Sequence, residues 1–414
     1  MMVSARSIAG VLAVSVLGCG PSVATPSGEG TATGDQTAGS TGSTGSTGGS
    51  STTAASTLDP SSGSSTSGSE PLGLCFETHA LEQSLFIFGY GVADFDVDGR
   101  AEIWSTDVVR PGVWSVDVFT YQGDGAMELR AQWSASDRMI SVADVDHDGL
   151  NDAVFRDDSD QLYARSVMND ALDLDTNVLA LGLPTRDPLL WDDVNGDGRV
   201  DVFLEEPGGK EAGLRVWLAS GPGSFEPGVV PLPLEPYTSP EAVRRSGPSE
   251  FTVQVRSGGI GFFDYQILTV TIDADGEMMT IGSLPWEQWT VVEARDRSGD
   301  GRPDLVLKGF GGEPSFAMSG PTEDYEILEL SEYRGDSVSG RFVEPARHDI
   351  LVQTDGESFE LWSGSPIPTD LTEAVIGTVE LSGAVAADLD GDGLDELLHP
   401  GDPASVTKVV RCPL

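Results

Sequence analysis

Five times this chain spells one loop: an oxygen-bearing side chain at positions 1, 3 and 5, a glycine at 6 and an acid at 9. The copies run from Asp94 to Glu102, Asp144 to Asp152, Asp193 to Asp201, Asp296 to Asp304, and Asp388 to Glu396. Carboxylates gathered this closely repel one another and raise one another's pKa, so the spacing calls for a cation. Calcium takes about six to eight hard oxygen ligands, and alternate side chains of a short loop converge to supply them. The glycine at 6 (Gly99, Gly149, Gly198, Gly301, Gly393) carries the chain through a turn that a β-carbon would resist.

The expected ligand sets follow from that numbering. They are Asp94, Asp96, Asp98, Arg100 and Glu102; Asp144, Asp146, Asp148, Leu150 and Asp152; and Asp193, Asn195, Asp197, Arg199 and Asp201. The fourth is Asp296, Ser298, Asp300, Arg302 and Asp304, and the fifth Asp388, Asp390, Asp392, Leu394 and Glu396. Position 7 (Arg100, Leu150, Arg199, Arg302, Leu394) contributes its backbone carbonyl. Ser298 at position 3 makes the fourth site the weakest, and four or five ions are expected in all. An EF-hand would need a bidentate Glu at position 12. Ser105, Phe155, Leu204, Leu307 and His399 stand there, so EF-hands are excluded.

A short apolar strand follows each loop, as in Ala153-Val-Phe155 and Leu305-Val-Leu307. The wide gaps after the third and fourth loops each hold a degenerate copy, from Ala242 to Glu250 and from Arg341 to Asp349. Arg244 and Arg341 stand where ligands would be, so both copies are expected to be metal-free. The seven starts, 94, 144, 193, 242, 296, 341 and 388, are 45–54 residues apart, the length of a four-stranded propeller blade. Segments 103–143 and 153–192 hold 41 and 40 residues, and the two ends, 72–93 and 397–414, together hold 40. The ends therefore share a blade. The expected fold is all-β, a seven-bladed β-propeller over 72–414, with Gly123-Asp-Gly125, Gly221-Pro-Gly223 and Asp275-Gly276 marking turns.

Cys75 and Cys412 flank that propeller, and a shared blade would place them on neighbouring strands within reach of a disulfide. The third cysteine has a different context. Residues 1–18 read as an export signal, with Arg6 ahead of the apolar run Ile8 to Leu17 and Val16-Leu17-Gly18-Cys19 as a lipoprotein cleavage box. Cys19 would then carry the lipid. Residues 19–71 are Ser, Thr, Gly and Ala with almost no apolar bulk, a disordered tether reaching ~40 Å. Gly20 beside the cysteine favours the outer membrane of a Gram-negative bacterium, on its periplasmic or cell-surface side.

The motif and its following strand resemble the FG-GAP or VCBS repeat family, which includes the propeller head of integrin α chains. Asp193-Val-Asn-Gly-Asp-Gly-Arg-Val-Asp-Val-Phe-Leu204, then Leu214-Arg-Val-Trp-Leu218 and Gly221-Pro-Gly-Ser-Phe225, carry the likeness, which covers 72–414. Phe88-Gly89 is present, but no Gly-Ala-Pro follows, so the calcium loop is the specific part of the match. The resemblance implies calcium on one face of the ring and recognition by loops elsewhere.

The net charge is −44, which makes nucleic acid and anionic lipid poor partners. His79, His147, His348 and His399 are scattered, and no nucleophile elbow, zinc box or phosphate loop is present. The first expectation is therefore a monomeric protein- or glycan-binding head, held to the membrane by its N-terminal lipid. Two alternatives stand beside it. One is a polysaccharide lyase or hydrolase acting on acidic glycans through Arg244, Arg245 and Arg341. The other is a structural envelope component.

Overall fold

The structure is a computed structural model. It describes residues 73–82, 89–110, 112–168, 172–184, 186–206, 213–235, 238–257, 264–287, 289–298, 302–309, 314–319, 325–329, 335–345, 347–354, 358–363, 372–379, 381, 383–400 and 404–412. All belong to the compact unit Leu72–Leu414. The expected export segment, Cys19 and the tether lie outside the described residues, as do Asp300 and Gly301 of the fourth motif.

Among the described residues every regular element is a strand. The first sheet is a meander of Gly89–Ala93, Glu102–Arg110, Val113–Tyr121 and Met127–Ala135, each antiparallel to the next. The same order recurs in meanders that open with Arg138–Ala143, Leu190–Asp192, Thr238–Arg245, Thr290–Arg295 and Ser337–Gly340. The last meander is Val385–Ala387, Glu396–His399, Ser405–Arg411 and, from the other end of the chain, Leu74–Ala80. It joins its predecessor in one eight-stranded sheet through a short parallel pairing, Leu74 with Val375 and Cys75 with Ile376.

The motif loops connect the first strand of a meander to its second. In all seven copies the acid at position 9 is the first residue of that second strand: Glu102, Asp152, Asp201, Glu250, Asp304, Asp349 and Glu396. The two degenerate copies share this placement although their ligands are gone. The loop turn and the strand start are thus one structural unit, and the metal chemistry is an addition to it.

The second strands are apolar without alternation, as in Ala153-Val-Phe155 and Leu305-Val-Leu307, and they are buried. Successive side chains of a strand point to opposite faces, so a strand buried at every position is covered on both. Ala153 and Phe155 pack with Phe95, Trp104 and Trp133 of the preceding sheet, while Val154 packs with Trp191, Val202 and Leu204 of the following one. Phe203 turns onward to Phe251 and Val253. Leu305 and Leu307 face Ile267 and Leu284, whereas Val306 faces Ile350 and Val352. Leu351 meets Leu397, and Leu398 meets Val92 and Ile103 of the first sheet. The core is therefore a succession of apolar layers between neighbouring sheets, and the last layer lies against the first sheet.

First strands follow the same circuit. Leu190–Asp192 lies beside Thr238–Arg245, then come Thr290–Arg295, Ser337–Gly340 and Val385–Ala387, and Val385–Ala387 touches Gly89–Ala93. Cys75 and Cys412 form a disulfide with 5.5 Å between Cα atoms; Cys75 lies on a strand whose Leu74 pairs with Arg411, and Cys412 directly follows that partner strand. The expected pairing of the two ends is present.

Candidate metal centre

Each motif loop is built by its own carboxylates. The position 1 carboxylate accepts from the amide of the glycine at 6: Gly99 to Asp94 at 2.9 Å, Gly149 to Asp144 at 3.1 Å, Gly198 to Asp193 at 2.9 Å and Gly393 to Asp388 at 2.9 Å. The position 5 carboxylate accepts from the amide at 7, with Arg100, Leu150, Arg199 and Leu394 as donors at 2.8–2.9 Å. The position 9 carboxylate accepts from the amide at 2, with Phe95, Val145, Val194, Arg297 and Leu389 as donors. These bonds fix the loop, but the position 5 acids Asp98, Asp148 and Asp392 are not among the carboxylates that converge; those stand at positions 1, 3 and 9.

Two positions, not one, adopt left-handed backbone. The glycines at 6 have φ of 82–93°, as the spelling implied. Position 4 is left-handed too, with Val97 at 58°, His147 at 64°, Gly196 at 77° and Gly391 at 81°. Sequence reasoning assigned no role to position 4, and Val97 and His147 give no composition signal for it. Non-glycine residues reach this region only at a cost, which the amide–carboxylate bonds on either side offset.

Among the described residues three acidic groups converge: Asp94, Asp96 and Glu102; Asp144, Asp146 and Asp152; Asp388, Asp390 and Glu396. One carboxylate oxygen from each member lies within 4.8 Å of the others. Several of their oxygens are buried and accept no hydrogen bond: Asp96 Oδ1 and Glu102 Oε1, Asp144 Oδ1 and Asp152 Oδ1, and Glu396 Oε1, which has the Lys408 ammonium 3.0 Å away. Glu102 is 1% exposed and Asp152 0%. An ionised carboxylate in that position is strongly unfavourable without a partner, and a hard cation supplies one. The residues present therefore fit an oxygen-coordinated ion.

The protonation equilibria carry the same signature. Burial pushes Glu102 up to about 8; the Phe95 amide opposes this, and Asp96, Asp94 and Asp98 add to it. Asp152 rises to about 7 through burial first and Asp146 second. Glu396 rises to about 7, again by burial, although Leu389 and Lys408 pull the other way. Burial also raises Asp94, Asp144 and Asp388.

In the third and fourth motifs the position 9 acid is satisfied by the protein on both oxygens. Asp201 accepts from Val194 at 3.1 Å through one oxygen and from Ala219 at 2.8 Å through the other. Asp197 is paired with Arg199 at 2.5 Å. Asp304 takes Arg297 and Ser298 amides on one oxygen, and the Ser319 amide and hydroxyl on the other. Arg302, expected to offer its carbonyl, accepts instead from Ser319 Oγ at 3.5 Å.

Two of the arginines nominated for a glycan cleft are held by the fold. Arg245 pairs with Asp192, donates to the carbonyls of Pro248 and Asp193, and lies 5.0 Å over the Phe251 ring. Arg341 donates to Asp395 through both its amide and its guanidinium, at 2.7–3.2 Å. Arg244 is lowered by burial, with Glu293 opposing.

Lys408 is the residue of the site that sequence reasoning missed. Its Nζ lies 2.6 Å from Asp390, 2.6 Å from Asp392 and 3.0 Å from Glu396. Burial would lower this ammonium, but the three carboxylates outweigh it and hold it well above the ordinary lysine value.

No family model matches the chain, and no curated protein does. Among solved structures it is similar to Sqt1 of Chaetomium thermophilum, with a TM-score of 0.44, 14% identity, and coverage of 78% of this chain and 81% of that one. At that level the likeness bears on neither fold nor function here.

Proposed function

We propose that this chain is a calcium-braced, seven-bladed propeller, held to the outer membrane by a lipid on Cys19, that binds a protein or glycan partner. Its motif loops would be those of an FG-GAP or VCBS repeat. The observation that carries the calcium reading is the set of buried, unpartnered carboxylate oxygens on Asp96, Glu102, Asp144 and Asp152, directed into two loops of one spelling. Support for seven blades comes from the repeated meander and from apolar layers that return to the first sheet. The ion would be a structural brace: it neutralises carboxyls that start the second strand, so each loop and its blade are stabilised together.

The partner-binding role rests on what the charge and the fixed arginines leave. Arg245 and Arg341 are tied into neighbouring loops, which weighs against the catalytic alternative. A net charge of −44 favours cationic or divalent-bridged ligands. Screening the purified protein on glycan and protein arrays, with calcium and with EDTA, tests this. Calcium-dependent capture of a defined ligand supports the binding reading; turnover of an acidic glycan, lost on Arg244→Ala, replaces it with the enzymatic one. A Cys19→Ala variant that remains in the membrane fraction would end the lipid-anchor reading.

A further inference from the structure

The seventh motif differs from the first two in one respect, which its own strand register explains. The residue facing a position 9 acid is set by the pairing of the second and third strands. Ala153 pairs with Arg165, which puts Ser166 opposite Asp152; Ile103 pairs with Phe119, which puts Thr120 opposite Glu102. Asp349 pairs directly with Ser363. By the same register Leu397 pairs with Thr407, and Lys408 stands opposite Glu396. A long cation occupies the place where those other sheets have a small hydroxyl.

We propose that the Lys408 ammonium is the resident cation of the Asp388–Glu396 loop, so that this loop is braced without calcium. This rests on the reading of the motif loops as calcium sites. An ammonium has three N–H donors and no acceptor. Asp390, Asp392 and Glu396 provide three carboxylates around it, at 2.6, 2.6 and 3.0 Å. Calcium would have to displace a tethered charge from three of its own four acidic ligands, since only Asp388 is left without that contact. The other loops show the contrast. Arg130 stands farther from the first, at 3.3 Å from Asp96 and 4.0 Å from Glu102. In the second, Asp144, Asp146 and Asp152 converge with a hydroxyl rather than a cation beside them, Ser166 donating to Asp146 at 2.5 Å. The three loops thus grade from open, through grazed, to filled. The geometry orders calcium affinity the same way, with the Asp144 loop tightest and the Asp388 loop excluded.

Calorimetric titration of calcium into the full chain tests this with two variants. K408S recreates the Ser166 environment, and the expected result is one more calcium bound per chain than in the wild type. D390N in the wild-type background should leave the calcium count unchanged. No gain in K408S overturns the proposal, and so does loss of one ion in D390N, which would show calcium displacing the lysine. If K408S does not fold, the D390N count decides alone. A wild type that binds no calcium while K408S also binds none fails both readings; a wild type that binds calcium through an Asp390-dependent site fails this one only.

Discussion

The amide of Ala101 donates to the carbonyl of Asp388 at 2.8 Å, tying position 8 of the first motif to position 1 of the last. Asn151 repeats the contact one motif on, donating its amide to Phe95 and its side chain to Asp94 O at 2.6 Å. The Asp395 amide does the same to Arg341. Neighbouring loops are therefore coupled by backbone, and the coupling includes the junction between the two ends of the chain.

That junction gives the first prediction. Gly391 has φ of 81°, and a Cβ there would lie 2.5 Å from Arg100 Cγ. Gly99 has φ of 93° with open space around it. Both alanine variants incur left-handed strain of about 1–2 kcal/mol, but only Gly391→Ala must also move a neighbouring side chain. Denaturant unfolding should show Gly391→Ala as the less stable of the two; equal losses would mean the first and last loops are not packed together.

The apolar layer beneath it is testable separately. Ile103 is fully buried between Val92, Leu398 and Val406. Ile103→Ala should cost roughly 2–5 kcal/mol by chemical denaturation, the range for a large-to-small change in a closed core. A cost below ~1 kcal/mol would place this layer at an open edge.

The Cys75–Cys412 bond joins the two ends of the chain covalently within the last meander. Removing a native disulfide typically costs about 2–5 kcal/mol, although the entropic origin is model-dependent. The double alanine variant should unfold at lower denaturant than the wild type, and thiol titration of the unfolded wild type should release these two sulfurs only after reduction.

Without calcium, stability should fall as pH rises. Glu102, Asp152 and Glu396 have folded-state values near 8, 7 and 7, against ordinary values of 4.5, 3.8 and 4.5. Between those limits the folded state binds more protons than the unfolded one, so unfolding free energy declines with pH. The stability is fully present below about pH 4 and is lost as pH passes through 7 to 8. Saturating calcium favours the ionised carboxylates of the first two loops and should flatten the part of the slope that Glu102 and Asp152 supply. Asp152→Asn should do two things at once: raise the stability of the calcium-free protein at pH 8, and reduce the gain on adding calcium. Melting curves from pH 5 to 8, with and without calcium, check both.

Much of this was legible from spacing because the motif is local. Glycine at 6 and acids at 1, 5 and 9 interact within nine residues, and the same frame located even the copies at 242 and 341, whose acids Glu250 and Asp349 start strands like the rest. What local spacing does not contain is the pairing partner. Lys408 meets Asp390 only because two strands register with Leu397 opposite Thr407, and Arg341 finds Asp395 of the next meander. The third and fourth motifs look like their siblings in spelling, yet Asp201 and Asp304 are satisfied by Ala219 and Ser319, again residues of another strand. Likewise, the left-handed turn at Val97 and His147 is imposed by flanking hydrogen bonds rather than by residue type.

The most direct test of the account is elemental analysis of the purified protein for calcium, paired with thermal unfolding before and after EDTA. Bound calcium and a marked drop in Tm on chelation, restored by calcium, are the expected results; an ion bound only by the folded state stabilises by ~2.7 kcal/mol at a hundred times its dissociation constant. A protein free of calcium whose Tm is indifferent to both EDTA and added calcium would contradict the calcium reading, and would leave the motif loops as hydrogen-bonded turns.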